Sequence, residues 1–110
     1  MAASTDYLDF ILDQLSNWKT IHYKRMFGCI GLYADDLMFG IVSKELLYFK
    51  VDESNKADYL AAGSEALKLF KNNSVVASFY EVPIEILEDA NQVIAWAKVS
   101  LEIQKSKDKK

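Results

Sequence analysis

Three apolar runs stand almost back to back in this chain: residues 24–34 (KRMFGCIGLYA), 37–43 (LMFGIVS) and 46–51 (LLYFKV), separated only by Asp35-Asp36 and Lys44-Glu45. Two-residue connections cannot carry the crossover that parallel neighbours need, so these runs must pair antiparallel as a meander. The middle run is apolar on both faces, as expected of a central strand. Gly28 and Gly31 fall inside the first run, where glycine marks a bulge or a close backbone approach. Alternation places Leu47, Phe49 and Val51 on one face and Leu46, Tyr48 and Lys50 on the other. In the middle run it sets Leu37, Phe39 and Ile41 against Met38, Gly40 and Val42.

Helical periodicity flanks this core. Tyr7, Leu8, Ile11, Leu12, Leu15 and Trp18 recur on one broad face, predicting a helix from Thr5 to Trp18 with Asp6 and Asp9 in its first turns. Asp52–Ala62 reads as a second helix, with Ser54 as N-cap and Gly63 at the left-handed C′ position. Two further strands, 67–71 and 75–81, are expected around an Asn72-Asn73-Ser74 turn. Within the second of these, Val75, Ala77 and Phe79 oppose Val76, Ser78 and Tyr80. Pro83 opens a short helical turn, and Asp89 with Gln92 opens a final helix from Ala90 to about Ile103 through a capping box. The order α-β-β-β-α-β-β-α predicts an α+β two-layer sandwich: an antiparallel five-stranded sheet with helices packed on it. One domain is expected over residues 1–104, followed by a basic disordered tail, 105–110.

The chain has 110 residues, 51% hydrophobic and 26% charged, with a net charge of −3. That balance excludes disorder over most of its length, and the single Cys29 excludes a disulfide scaffold. No apolar run approaches the roughly 20 residues that span a bilayer. The opening MAASTDYLDF lacks the basic and apolar regions of a signal peptide, so a cytoplasmic location off the membrane is expected. The tail KSKDKK carries +3, which leaves −6 on residues 1–104. A body that acidic repels phosphate backbones, and direct nucleic-acid binding is not expected.

No catalytic constellation is complete in the sequence. His22 and Cys29 are the only members of their types. Seven residues apart on one extended segment they are about 23 Å apart, too far for a nucleophile and its base. Two such ligands also fall short of a metal site, and no glycine-rich loop precedes a helix to cradle a phosphate. No cofactor is therefore expected. The adjacent Asp35 and Asp36 at a turn tip point apart rather than forming an acid/base pair. Glu81, just before Val82-Pro83, is placed to cap the following helical turn. The stronger clue is surface. Helices cover one face of such a sheet, leaving the other to carry Tyr, Met and Leu side chains as a protein-contact face. Tyr33, Tyr48 and Tyr80 are the candidate residues there, and a homodimer or a partner protein the candidate occupant.

Residues Lys24–Val51 also resemble the N-terminal domain of the TfoX/Sxy family of competence regulators. The likeness lies in the basic-Arg-Met-Phe-Gly opening, the Gly-Leu-Tyr-Ala-Asp strand and the strand ending Phe-Lys-Val-Asp. A second block, Phe79–Ala97 (FYEVPIEILEDANQVIAWA), is similar to that family's Tyr-Glu-Val-Pro…Leu-Glu-Asp…Trp-Ala stretch. Cys29 replaces the second glycine of the signature, Ile30 a frequent aromatic, and Asp36 a turn glycine. The resemblance implies a secretion-chaperone-like α+β domain, standing without the helical second domain of full-length regulators. It further implies transcription control of competence, with the cAMP receptor protein or the transcription machinery as partner. Arg25, Met26 and Phe27 match the signature and join the candidate interaction residues. Two alternatives stay open: a small chaperone-like adaptor that binds another protein's segment, and a thiol-dependent enzyme using Cys29.

Overall fold

A computed structural model describes residues 5–26, 29–44, 46–68 and 75–108. Its elements run α1 (Thr5–Gln14), β1 (His22–Met26), β2 (Cys29–Ala34), β3 (Leu37–Ser43), β4 (Leu46–Lys50), α2 (Lys56–Ala61), β5 (Ala66–Lys68), β6 (Val75–Glu81), α3 (Ile84–Leu87) and α4 (Ala90–Asp108). The α+β architecture with an antiparallel sheet is as the sequence implies. The sheet, however, has six strands in the order β1-β2-β3-β4-β6-β5. The run taken as one strand is two, paired from His22 opposite Tyr33 to Met26 opposite Cys29. Residues 27–28 are all that connects them, and a two-residue connector containing glycine is hairpin chemistry as much as bulge chemistry. Asp35 and Asp36 form the next hairpin turn, both with positive φ (52° and 66°), the geometry of a twist-matched two-residue loop.

Helix boundaries differ from expectation where side chains compete for backbone groups. Asp52 accepts from the Ser54 N–H and hydroxyl, and Asn55 Oδ1 accepts from the Asp52 N–H at 2.8 Å. This knot occupies the residues expected to start α2, so the helix begins at Lys56 with Asn55, not Ser54, at its N-cap. Gly63 ends it with φ +80°. Asp89 caps α4 as expected: its Oδ1 accepts from the Gln92 N–H at 3.1 Å, while Gln92 Nε2 donates to Oδ2. At α3 the N-cap is Pro83, without a side-chain cap. Glu81 does not fill that role; its N–H extends the sheet by donating to the Glu65 carbonyl. The asparagine turn expected at 72–74 lies outside the described residues.

The core forms where one sheet face meets the helices. Leu8 and Ile11 of α1, Leu15 in the turn after it, and Val93, Ile94, Ala97 and Leu101 of α4 pack on Ile30, Leu32, Val42, Leu47 and Phe49. Gln14 Nε2 donates to the Leu87 carbonyl at 2.8 Å, tying α1 to α3. Between β2 and β3 the register slips: Leu32 faces Gly40, but Tyr33 faces Met38. Phe39 is thereby left without a partner and turns into the core, fully buried, with Trp18 and Phe49 at ring distances of 5.4 and 5.7 Å. Strict alternation would have grouped Phe39 with Ile41; the slip separates them.

Past this slip β3 and β4 diverge, and α4 supplies the missing partners. Ser100 Oγ donates to the Lys50 carbonyl at 2.8 Å, joined by Asn55 Nδ2 at 3.2 Å, and Gln104 Nε2 donates to the Met38 carbonyl. Lys105 reaches Asp35 Oδ2 at 3.2 Å, and Lys19 meets the same oxygen at 2.8 Å. These anchors explain why α4 runs on to Asp108 rather than fraying from Lys105 as a disordered tail. Asp35 is thus committed to two lysines, not to acid/base work with Asp36.

Gly40 lies opposite Phe49, and a Cβ there would sit 3.0 Å from the Tyr48 carbonyl oxygen and 3.1 Å from the Phe49 ring. Gly40→Ala is therefore expected to cost about 1–3 kcal/mol in urea unfolding; an unchanged midpoint would contradict this packing. Lys19 and Lys105 hold the Asp35 carboxyl below its usual range. Its contribution is present above the unfolded value near 3.8 and disappears as pH falls through the lower folded value. The Tm difference between wild type and Asp35→Asn should accordingly be constant near neutrality and vanish in acid.

Candidate functional site

Register sorts every strand residue onto one of two faces. All four helices join the core cluster or one another on the face of Ile30, Val42 and Phe49. Among the described residues no helix lies against the centre of the opposite face, although its corner at Lys50 and Phe79 is buried, with Lys107 of α4 beside Lys50. Its middle row runs across five strands through successive partners: Lys24, Gly31, Ile41, Tyr48 and Glu81. A parallel row brings Tyr33 beside Met38. Tyr33, Met38, Ile41 and Tyr48 are half-buried and Leu46 is 38% exposed, whereas their core-face neighbours are at most 1% exposed.

The row is polar only at its ends. Lys24 is exposed, with Nζ 5.5 Å from the Tyr33 ring, a cation over an aromatic face. At the far end burial raises the Tyr48 phenol above its ordinary value, and the carboxylate of Glu81 adds to this, with smaller contributions from Cys29 and Glu65. Lys50, on the β4 strand that carries Tyr48, lies almost wholly buried with Nζ 5.3 Å from the Phe79 ring. Burial lowers its pKa, and the nearby Lys107 ammonium lowers it further.

The structure distributes the sequence candidates over both faces. Tyr33 and Tyr48 share the helix-free face. Tyr80 pairs with Phe49 on the core face and packs against Tyr59 at 6.3 Å. Arg25 pairs with Ile30, so it lies at the core-face side of the β1 edge, exposed and without a carboxylate partner among the described residues. The Met26 backbone ends β1 opposite Cys29; the Met26 side chain and Phe27 lie outside the described residues. Ile41, Met38 and Glu81 are the members that sequence reasoning missed. Alternation groups Ile41 with Phe39 and against Met38, because it cannot register the slip at Phe39.

Other chemistries gain no geometry. His22 stands opposite Tyr33 and Cys29 opposite Met26, four residues apart along the ladder, about 13 Å. Among the described residues no three His, Cys, Asp or Glu gather to hold a metal ion. None of the helices is long and apolar enough to cross a membrane, again among the described residues. What this arrangement can do is bury apolar surface against another protein while two opposite charges fix direction.

A family model described as the TfoX N-terminal domain matches residues 13–103, which takes in every strand and most of α4. No curated protein matches the chain at a significant level.

Because phenol ionisation in the unfolded chain occurs near pH 10 and the raised folded value lies above it, neutral Tyr48 stabilises the fold below pH 10. That contribution is lost as pH rises through the folded value. Tyr48→Phe should therefore lose less stability than wild type between pH 9 and 11 in urea titrations; parallel losses would contradict the assigned environment.

Proposed function

Because the chain belongs to the TfoX N-terminal domain family, we propose that it is a non-catalytic protein-interaction module serving transcription control of competence in the cytoplasm. The helix-free sheet face carries the reading: a row of half-buried Ile41 and Tyr48 between two charges is surface suited to a protein and to no reaction. The family is not one of known enzymes. The acidic balance of residues 1–104 supports contact with promoters through a DNA-binding partner rather than through DNA itself. The cAMP receptor protein and RNA polymerase are the partners the family suggests. A second reading, a chaperone-like adaptor, is favoured by the open edge of β1, where another protein's extended segment could add as a strand.

Affinity capture from native cell extract tests the leading reading, using tagged wild type and an Ile41→Glu variant shown by circular dichroism to be folded. Wild type should recover the cAMP receptor protein or RNA polymerase, and Ile41→Glu should lose it. Equal recovery from both, or direct promoter binding by the isolated chain at physiological salt, would overturn it.

A further inference from the structure

The middle row of the helix-free face has a direction. Lys24 stands at one end and Glu81 at the other, with Gly31, Ile41 and Tyr48 between them in successive register. Four inter-strand steps separate the two charges, about 19 Å. Neither has a salt-bridge partner among the described residues. The acidic end is reinforced by Glu65, whose charge, like that of Glu81, is felt by the Tyr48 phenol, and whose carbonyl accepts the Glu81 N–H. The basic end carries His22 on the same face. An apolar row with one cation and one anion at its ends is complementary to itself when reversed.

We propose that the occupant of this face is a second copy of the chain, stacked face to face about a two-fold axis that runs along the strands. This proposal rests on the protein-contact reading of the same face. The axis reverses the row, so Ile41 meets Ile41 of the other copy and each Lys24 lies over the other copy's Glu81. The alternative two-fold, along the row, would set Lys24 over Lys24 and Glu81 over Glu81, which like-charge repulsion disfavours. The strands of the two sheets then run in nearly the same direction, as in aligned sheet packing. Five strands of about five residues give a footprint of roughly 20 × 17 Å. That is about 340 Å² per copy, less than half the roughly 800 Å² of a standard interface, so the dimer is weak and forms only at high concentration.

Sedimentation of the full chain, up to several hundred micromolar and at low salt, reads the proposal. Wild type should dimerise, and both Lys24→Glu and Glu81→Lys should raise the dissociation constant on the order of tenfold or more, since each reversal creates two like-charge contacts. An equimolar mixture of the two single variants should regain dimer, because every 24–81 contact across that heterodimer is again opposite in sign. The double variant Lys24→Glu/Glu81→Lys should dimerise as wild type does. If the single variants leave the dimer unchanged while Ile41→Glu dissociates it, the face reading survives and the reversed-row geometry is overturned. If wild type remains monomeric at the highest concentration, the second copy is overturned and the face belongs to another protein. A dimer that persists in Ile41→Glu would overturn both.

Discussion

Phe39 lies where the β2–β3 register slips by one residue, and the sidedness of the sheet follows from that slip. With Phe39 turned inward against Trp18 and Phe49, the aromatic core closes under α1 and α4. The same slip sends Met38 and Ile41 outward, so the contact face and the core are two results of one backbone irregularity. Without the bulge Phe39 and Ile41 would share a face, so that either Phe39 would leave the core or Ile41 would enter it.

Divergence of β3 and β4 beyond the slip leaves carbonyl groups that must find donors. Ser100, Asn55 and Gln104 provide them, which makes α4 a structural part of the sheet and not only a lid on it. Buried Tyr59, against Trp96 at 4.6 Å, belongs to the same region, and its hydroxyl lies beside that of Ser100.

Much of this was legible in the residues. The meander followed from two-residue connectors, α4's start from Asp89 and Gln92, and α2's end from Gly63, because each rests on local chemistry. The β1–β2 division was not, since Gly28 serves a bulge and a hairpin equally well before pairing is known. The helix-free face was anticipated in kind and misassigned in membership. Tyr48 was placed correctly by alternation within an unbroken strand. Ile41 was not, because parity fails across a bulge, and Tyr80 was not, because its face depends on β6 pairing with β4 rather than on its own sequence. Glu81 was read as a helix cap because sequence proximity to Pro83 is visible and register with Tyr48 is not. Lys105 reads as the start of a frayed end because the Asp35 carboxylate that it meets lies far away in sequence.

The dependence of the β3–β4 junction on Ser100 and Gln104 sets an order in time. The strands emerge early in synthesis and their hairpins can form at once, from contacts a few residues apart. Yet the Lys50 carbonyl has only Asn55 as a side-chain donor until Ser100 emerges, and the Met38 carbonyl finds its own only once Gln104 has left the ribosome. Until then the nascent chain holds a sheet with a covering helix absent and apolar residues open on both faces, the condition in which a partner or a chaperone has most to gain by binding.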